Sequence, residues 1–156
     1  MTAFVVDASI ALAWCFDDER TPETERLFDV VNEVGGVVPG HWRLEVANSL
    51  RTAIRRGRID AAYQMAAIRH LSTLRLETDP ETDGQAWSDT LRLSARLGLT
   101  LYDAAYLELS LRRDLPLATL DRRLALAVAE ISAKGSISWD RFTVSRKRRN
   151  DLAHLF

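Results

Sequence analysis

The sequence predicts an α/β fold in which a short, mainly parallel β-sheet lies between two layers of helices. Short apolar runs alternate along the chain with longer segments whose apolar residues recur at helical spacing. Because this alternation is typical of βαβ units, we expect the strands to run parallel and to be covered on both faces. The chain has 156 residues, the size of one compact domain, and shows no repeat or internal linker.

The predicted strands are short, mainly apolar runs bounded by charged residues or turn formers. They are Ala3 to Val6, Val37 to Val38, Arg75 to Thr78 and Pro116 to Leu120, with Ile137 to Trp139 as a further candidate. The first run stops at Asp7 and the fourth at Asp121, so an acid directly follows each of these two strands. In open parallel sheets, ligands bind just beyond the carboxyl ends of the strands.

The predicted helices carry apolar residues on one face and end at glycines or turns. One segment of mixed polarity follows Asp7; its second part begins near Pro22 and it ends at Gly35 and Gly36. The other helices cover 41–56, 59–74, 83–97, 100–113 and 121–132. The first two of these form a predicted helical hairpin joined at Gly57.

Composition excludes several classes of protein. The net charge is −1, so no overall positive charge attracts nucleic acid to this chain. No apolar run is long enough to cross a bilayer, and the apolar opening lacks the basic leader of a secretory signal. Cys15 is the only cysteine, so no intrachain disulfide can form and a cytoplasmic location is expected.

Arginine supplies almost all of the positive charge and occurs in clusters. These are Arg51, Arg55, Arg56 and Arg58, Arg112 and Arg113, Arg122 and Arg123, and the segment from Arg146 to Arg149. Guanidinium groups bind phosphates through a planar, bidentate fork. Arginines on solvated helix faces explain most of these positions, and we favour that interpretation.

Four acidic residues are the candidate site: Asp7, Glu45, Asp103 and Asp121. Taken singly, most of them have a structural explanation. Asp121 is a candidate helix N-cap, and the negative charge of Asp103 suits the first turn of its helix. A lone Glu45 is more commonly solvated or ion-paired. Asp7 is harder to explain in this way, because it follows a buried strand directly.

Considered together, the four carboxylates indicate a divalent metal. Converging carboxylates repel one another, and their pKa values rise unless a cation compensates. Mg²⁺ and Mn²⁺ take oxygen ligands, and in phosphodiester hydrolysis such ions activate water and stabilise charge on the reacting oxygens. The histidines, at 41, 70 and 154, have no zinc-like spacing. The sequence also lacks nucleotide-cradling glycine loops, a serine nucleophile elbow and the second aspartate of an aspartate-nucleophile phosphatase.

These residues carry a family resemblance. The segments VVDASIALAW, HWRLEVANSL and LTLYDAAYLELSLRRDLPLATLDRRL occur in an order that resembles the PIN-domain family, most closely the VapC toxins of bacterial toxin–antitoxin pairs. The resemblance covers roughly residues 3–134. It implies a three-layer α/β/α PIN-like fold with a short, mainly parallel sheet, for which we expect boundaries at 1–140.

Residue by residue, the resemblance implies roles for six positions. Asp7 and Asp103 match direct metal ligands, and Glu45 and Asp121 match acids that complete the site, partly through water. Ser9 and Thr119 match hydroxyl positions that orient these acids. Tyr102, beside Asp103, is expected to pack and not to take part in catalysis.

The activity implied by the resemblance is metal-dependent endoribonuclease cleavage, with Mg²⁺ or Mn²⁺ as cofactor and 5′-phosphate and 3′-hydroxyl ends as products. The implied partners are an RNA substrate, a VapB-type antitoxin and a second copy of the chain. No membrane is involved, and DNA is contacted only indirectly through the antitoxin. The apolar stripes of the 41–74 hairpin are candidates for dimer or antitoxin contact, although core packing is their expected use.

Two alternatives remain open at this stage. In the first, the chain is a non-cleaving PIN-like module that binds RNA or an antitoxin. In the second, it is a PIN-like nuclease that acts on DNA. The basic extension 141–156 departs from the family pattern. It is a basic arm, a packed helix or a sequence not native to the toxin, and nothing in its composition chooses among these.

Overall fold

A computed structural model of the chain describes residues 3–133. Its centre is a four-stranded sheet with the order β3-β2-β1-β4, in which every pairing is parallel. The strands are β1 (Phe4–Val6), β2 (Gly36–Val38), β3 (Leu76–Thr78) and β4 (Leu117–Ala118). The predicted α/β class is confirmed, and within the described residues the sheet is wholly parallel. The candidate strand at 137–139 and the extension 141–156 lie outside the described residues.

Eight α-helices connect and cover the strands within residues 3–133. They are α1 (Ala8–Cys15), α2 (Pro22–Val34), α3 (Trp42–Arg55), α4 (Ala61–Ser72), α5 (Thr82–Gln85), α6 (Asp89–Leu97), α7 (Leu101–Arg113) and α8 (Arg122–Ala133). In this part of the chain no helix is long and apolar enough to span a membrane.

Helices lie on both faces of the sheet. Every residue of β1, β2 and β4 is buried, although neighbouring strand side chains point to opposite faces. Helix α1 packs against α2 and α3, while α7 packs against β1, α6 and α8. The largest fully buried side chains include Trp14 of α1, Leu50 of α3 and Tyr106 of α7. The buried residues therefore form a core between the short sheet and the helices that cover it, as a layered α/β fold requires.

Two predicted helices are each divided in the structure. Residues 16–21, which include a short 3₁₀ turn, separate α1 from α2. The predicted helix over 83–97 is also wrong as one element, because residues 86–88 separate α5 from α6. Ser88 has non-helical backbone angles, and its N–H and hydroxyl both donate to the carbonyl of Gln85. Serine competes in this way with the regular helical pattern, which periodicity alone does not reveal.

A buried ion cluster fixes α7 to the loop after β3. The guanidinium of Arg112 donates to Asp79 Oδ2 at 2.8 Å and to Glu108 Oε1 at 2.7 Å. Asp79 and Glu108 are both buried, and the Asp79 N–H donates to the Val38 carbonyl at 2.8 Å. Burial alone would raise the pKa of Asp79, but hydrogen bonds from Arg112 and Thr82 hold it below its ordinary value. The cluster thus ties the helix that carries Asp103 to the edge of the sheet.

Candidate active site

The carboxyl ends of β1 and β4 form the floor of the candidate site. The two strands are adjacent and parallel, so both chains leave the sheet at the same edge. Asp7 follows β1 directly, and its backbone N–H donates to the Ala118 carbonyl at 3.0 Å. Thr119 and Asp121 follow β4 in the loop that leads to α8. The sheet therefore brings two distant segments of the sequence to one point.

Asp7 is a buried carboxylate, with 4% of its surface exposed. Its Oδ2 atom accepts a hydrogen bond from the Ser9 hydroxyl at 2.5 Å and another from the Thr119 hydroxyl at 2.7 Å. Burial raises the pKa of Asp7 to about 6 in spite of these two donors, and the negative charges of Glu45 and Asp103 add to the rise. Asp7 is thus oriented by neutral donors and faces uncompensated negative charge.

The hydroxyls of Ser9 and Thr119 also hold the loop after β4. The Leu120 N–H donates to Ser9 Oγ at 2.9 Å, and the Asp121 N–H donates to Thr119 Oγ1 at 2.9 Å. Each hydroxyl therefore donates its one proton to Asp7 and accepts from the loop backbone. The positions assigned from sequence as orienting hydroxyls contact Asp7 directly.

Asp121 occupies the N-terminus of α8. Its Oδ1 atom accepts a hydrogen bond from the Leu124 N–H at 2.9 Å, the contact of an N-cap residue. Asp121 is only partly buried, and its charge raises the pKa of Asp103. Asp121 therefore caps α8 and also lies close enough to Asp103 to raise its pKa.

Asp103 lies in the first turn of α7, where Thr100 is the N-cap and accepts from the Asp103 N–H at 3.1 Å. Burial is the largest cause that raises the pKa of Asp103, followed by the charge of Asp121. Glu45 adds to the rise, and a hydrogen bond from Thr100 opposes it. The pKa values of Asp7 and Asp103 thus both respond to Glu45, so the acids form one electrostatic group.

Glu45 lies in the first turn of α3, and one of its oxygens has two close neighbours. The Tyr106 hydroxyl donates to Glu45 Oε1 at 3.1 Å, and His41 Nε2 lies 2.8 Å from the same oxygen. Burial and the charges of Asp7 and Glu45 keep the pKa of Tyr106 far above its ordinary value. The phenol therefore stays protonated and donates to Glu45.

For three neighbours of the acids, sequence reasoning missed a contact or predicted the wrong surroundings. Tyr106 was expected to face inward, and it is buried, but the contact of its hydroxyl with Glu45 was missed. His41, four residues before Glu45, was also missed. The sequence spacing could have revealed both, because Tyr106 is three residues after Asp103 and His41 is four before Glu45. Residues three or four apart share a helix face. The expectation that Tyr102 packs is wrong: 63% of it is exposed, and its ring makes an edge-type contact with the His41 ring at 5.4 Å between centroids.

The donor chemistry fits a hard divalent cation. Carboxylate oxygens are the ligands that Mg²⁺ and Mn²⁺ prefer. Burial first, and then the charges of neighbouring acids, raise the pKa values of Asp7 and Asp103, and a cation would oppose both effects. Within residues 3–133, no three His, Cys, Asp or Glu side chains are arranged to hold an ion together as they stand.

Comparisons with known proteins identify the family of this chain. A profile of the PIN domain matches residues 4–130, which contain all four acids. The chain is 33% identical to ribonuclease VapC3 of Pyrobaculum aerophilum over 123 residues, which is 78% of this chain and 91% of that protein. It is 38% identical to exonuclease VapC9 of the same organism over 84 residues, which is 51% of this chain and 57% of that protein.

A solved structure shows the same fold. The crystal structure of PAE2754 from Pyrobaculum aerophilum superimposes with a TM-score of 0.61 and 26% sequence identity, covering 81% of this chain and 84% of that one. The profile match spans most of the chain, and the match to ribonuclease VapC3 covers nearly all of that relative. This chain therefore belongs to the PIN-domain family.

Proposed function

We propose that this protein is a metal-dependent endoribonuclease toxin of the VapC type, which hydrolyses RNA phosphodiester bonds and is inhibited by a cognate VapB-type antitoxin. The observation that carries the proposal is the electrostatic group at the carboxyl edge of the sheet, where burial and two neighbouring acids raise the pKa of Asp7 to about 6. Strongly shifted pKa values of this kind cluster at functional sites. The relatives named ribonuclease VapC3 and exonuclease VapC9 support the reaction class.

Each acid has a proposed role that agrees with its surroundings. Asp7 and Asp103 hold Mg²⁺ or Mn²⁺ directly, and Glu45 and Asp121 assist through water. Ser9 and Thr119 orient Asp7 through their hydrogen bonds to Oδ2. When bound, a divalent ion supplies the charge that lowers the pKa of water and neutralises phosphate oxygens. The chain's own residues orient the carboxylates, and the charge of a bound ion would offset the burial and mutual repulsion that raise the pKa values of Asp7 and Asp103.

The surface beside the acids suits unpaired RNA. Tyr102 precedes Asp103 and is 63% exposed, and Leu44, next to Glu45, is 75% exposed. Unpaired bases stack on exposed aromatic rings, whereas duplex DNA presents its bases only within its grooves. These exposed side chains, adjacent in sequence to two of the acids, therefore favour a single-stranded substrate over a double helix.

The partners follow from the proposed toxin role. An antitoxin would place a basic side chain in the acidic pocket and lay a peptide along a groove, and the toxin would form a homodimer. Tyr63 and Met65 of α4 are 37% and 49% exposed, so part of the α3–α4 hairpin is available for such contacts. Contact with DNA would be indirect, through the antitoxin.

The test is cleavage of a total-RNA pool by purified protein, free of antitoxin, with Mg²⁺, with Mn²⁺ and with EDTA. We expect discrete fragments that need metal and that disappear with Asp7→Asn, because the amide of the variant cannot supply the negative charge. Asp29→Asn is the matched control, since Asp29 is an exposed carboxylate on α2.

The other outcomes separate the alternatives. Retention of RNA without cleavage in any metal would indicate a non-cleaving binding module. Cleavage of single-stranded DNA in preference to RNA would indicate a DNA nuclease. Full activity of Asp7→Asn would refute the assignment of the metal ligands.

A further inference from the structure

Tyr106 of α7 is a fully buried residue with a polar end. Its side chain has 0% exposure, and its hydroxyl donates to Glu45 Oε1 at 3.1 Å. The backbone amide of Ala8 also interacts with this hydroxyl. A buried hydroxyl is costly unless it is hydrogen-bonded, and packing alone would be satisfied by phenylalanine. The position of the hydroxyl therefore calls for an explanation other than packing.

The hydroxyl connects the segments that carry three of the acids. Tyr106 is three residues after Asp103 on α7, so the two lie on the same side of that helix. Glu45 is on α3, and Ala8 directly follows Asp7 at the start of α1. One phenolic oxygen thus donates to Glu45 on α3 and lies close enough to the start of α1 for the Ala8 backbone to lower its pKa.

Glu45 is constrained on one oxygen only. Oε1 receives the Tyr106 hydroxyl and lies 2.8 Å from His41 Nε2, while the His41 ring meets the edge of the Tyr106 ring at 5.3 Å. No hydrogen bond to Oε2 occurs from any residue in the range 3–133. The carboxylate is therefore held at one end and open at the other.

We propose that Tyr106 is a positioning residue for the metal site: its hydroxyl fixes Glu45 Oε1, with His41 beside it, and leaves Oε2 for the divalent ion and its waters. The inference rests on the proposed metal-dependent function. The Tyr106 hydroxyl acts on ion binding through Glu45. Its charge-assisted hydrogen bond to the carboxylate restricts the side-chain rotation that would take Glu45 out of the site.

The experiment is Tyr106→Phe, which removes one oxygen atom and keeps the ring. Mn²⁺ affinity is measured without RNA, from the electron paramagnetic resonance signal of free Mn²⁺. We expect the affinity to fall roughly tenfold, the usual effect of losing a group that orients a metal ligand. The matched control is Tyr63→Phe, which also loses a hydroxyl bond, here to the Cys15 carbonyl at 2.5 Å and not to an acid.

A double-mutant cycle separates positioning from general destabilisation. In a Glu45→Gln background, Tyr106→Phe should have little further effect on Mn²⁺ affinity, because its partner has lost its charge. Independent, additive losses would overturn the inference, and so would unchanged affinity in Tyr106→Phe alone. A Tyr106→Phe protein that did not fold would contradict the claim that the ring suffices for packing.

If the proposed metal-dependent function is wrong, the same experiments give a different result. An unmodified protein that neither binds Mn²⁺ nor cleaves RNA would overturn the proposed function and this inference with it. Metal binding that is the same in the unmodified protein and in Tyr106→Phe would overturn this inference alone. His41→Gln gives a second measurement on the same carboxylate oxygen, and unchanged affinity there would remove His41 from the proposal.

Discussion

The hydroxyl of Thr119 donates a 2.7 Å hydrogen bond to Asp7 Oδ2 across 112 residues of sequence. The same hydroxyl oxygen accepts from the Asp121 N–H at 2.9 Å, so its proton is directed to Asp7. Thr119 has 0% exposure. This residue therefore couples the acid after β1 to the loop that carries the acid after β4.

Thr119→Val tests this coupling with nearly unchanged volume. The buried Asp7 carboxylate would lose a donor and the Asp121 N–H would lose its acceptor, so we expect the free energy of unfolding to fall by about 1–3 kcal/mol. RNA cleavage should fall at least roughly tenfold, since Asp7 would no longer be oriented. Urea unfolding and cleavage rates measure the two effects. Thr119→Ser keeps the hydroxyl, and a loss as large as that of the valine variant would contradict the role of the hydrogen bond.

Asp7 should reduce the stability of the metal-free protein at neutral pH. The folded protein raises the pKa of Asp7 from 3.8 to about 6, so it binds the proton more tightly than the unfolded chain does. The protonated Asp7 side chain therefore contributes its full stabilisation of the folded protein below about pH 4. That contribution is lost as the pH rises through about 6, where Asp7 ionises in the folded protein. We therefore expect Asp7→Asn, in EDTA at pH 7.5, to be more stable than the unmodified protein by about 2–3 kcal/mol.

Thermal and urea unfolding from pH 4 to pH 8 measure this difference. The advantage of Asp7→Asn should shrink towards pH 4, where Asp7 is protonated in the unmodified protein. Asp29→Asn removes a carboxylate from an exposed site, and its stability should follow that of the unmodified protein. An Asp7→Asn protein that is less stable at pH 7.5 would show that the carboxylate is compensated in some other way.

Tyr102 should contribute to RNA binding more than to the chemical step. Stacking of one base on an aromatic ring contributes about 1–3 kcal/mol, so we expect Tyr102→Ala to weaken RNA binding at least roughly fivefold. Tyr102→Phe, which keeps the stacking face, should bind nearly normally. The measurement is RNA affinity in Ca²⁺ together with KM and kcat in Mg²⁺. Trp87, an aromatic ring with 92% exposure that is not next to any of the acids in sequence, provides the control variant Trp87→Ala. Equal effects of Tyr102→Ala and Trp87→Ala would argue against a specific stacking position.

Arg112 should be important for stability. Its removal in Arg112→Met would leave Glu108 buried without its cationic partner and Asp79 with only the more distant guanidinium of Arg113, at 3.8 Å, so we expect a cost of about 3–5 kcal/mol. The matched control is Arg92→Met, since Arg92 pairs with Asp89 on the surface and is 76% exposed. Exposed pairs contribute little, so the control should change stability by less than about 1 kcal/mol. Urea unfolding compares the two, and a similar small loss in both would show that the buried cluster is not stabilising.

Local patterns predicted most of the elements. The strand at 3–6, the helix at 100–113 and the helix at 121–132 agree with β1, α7 and α8 to within a few residues, because burial imposes a periodicity on the sequence. The break at residues 86–88 was missed. It depends on hydrogen bonds between Ser88 and Gln85, and hydrophobic periodicity contains no information about them.

The sequence by itself determined the α/β class, the parallel strands and the four acids at or beside the ends of predicted elements. These features depend on residue type and on spacing over a few residues. Tertiary structure alone decided the strand order, the meeting of Thr119 with Asp7 and the contact of Tyr106 with Glu45. The two contacts join residues 112 and 61 positions apart. Local spacing cannot specify such pairs, because they form only when the sheet closes and the helices pack on it.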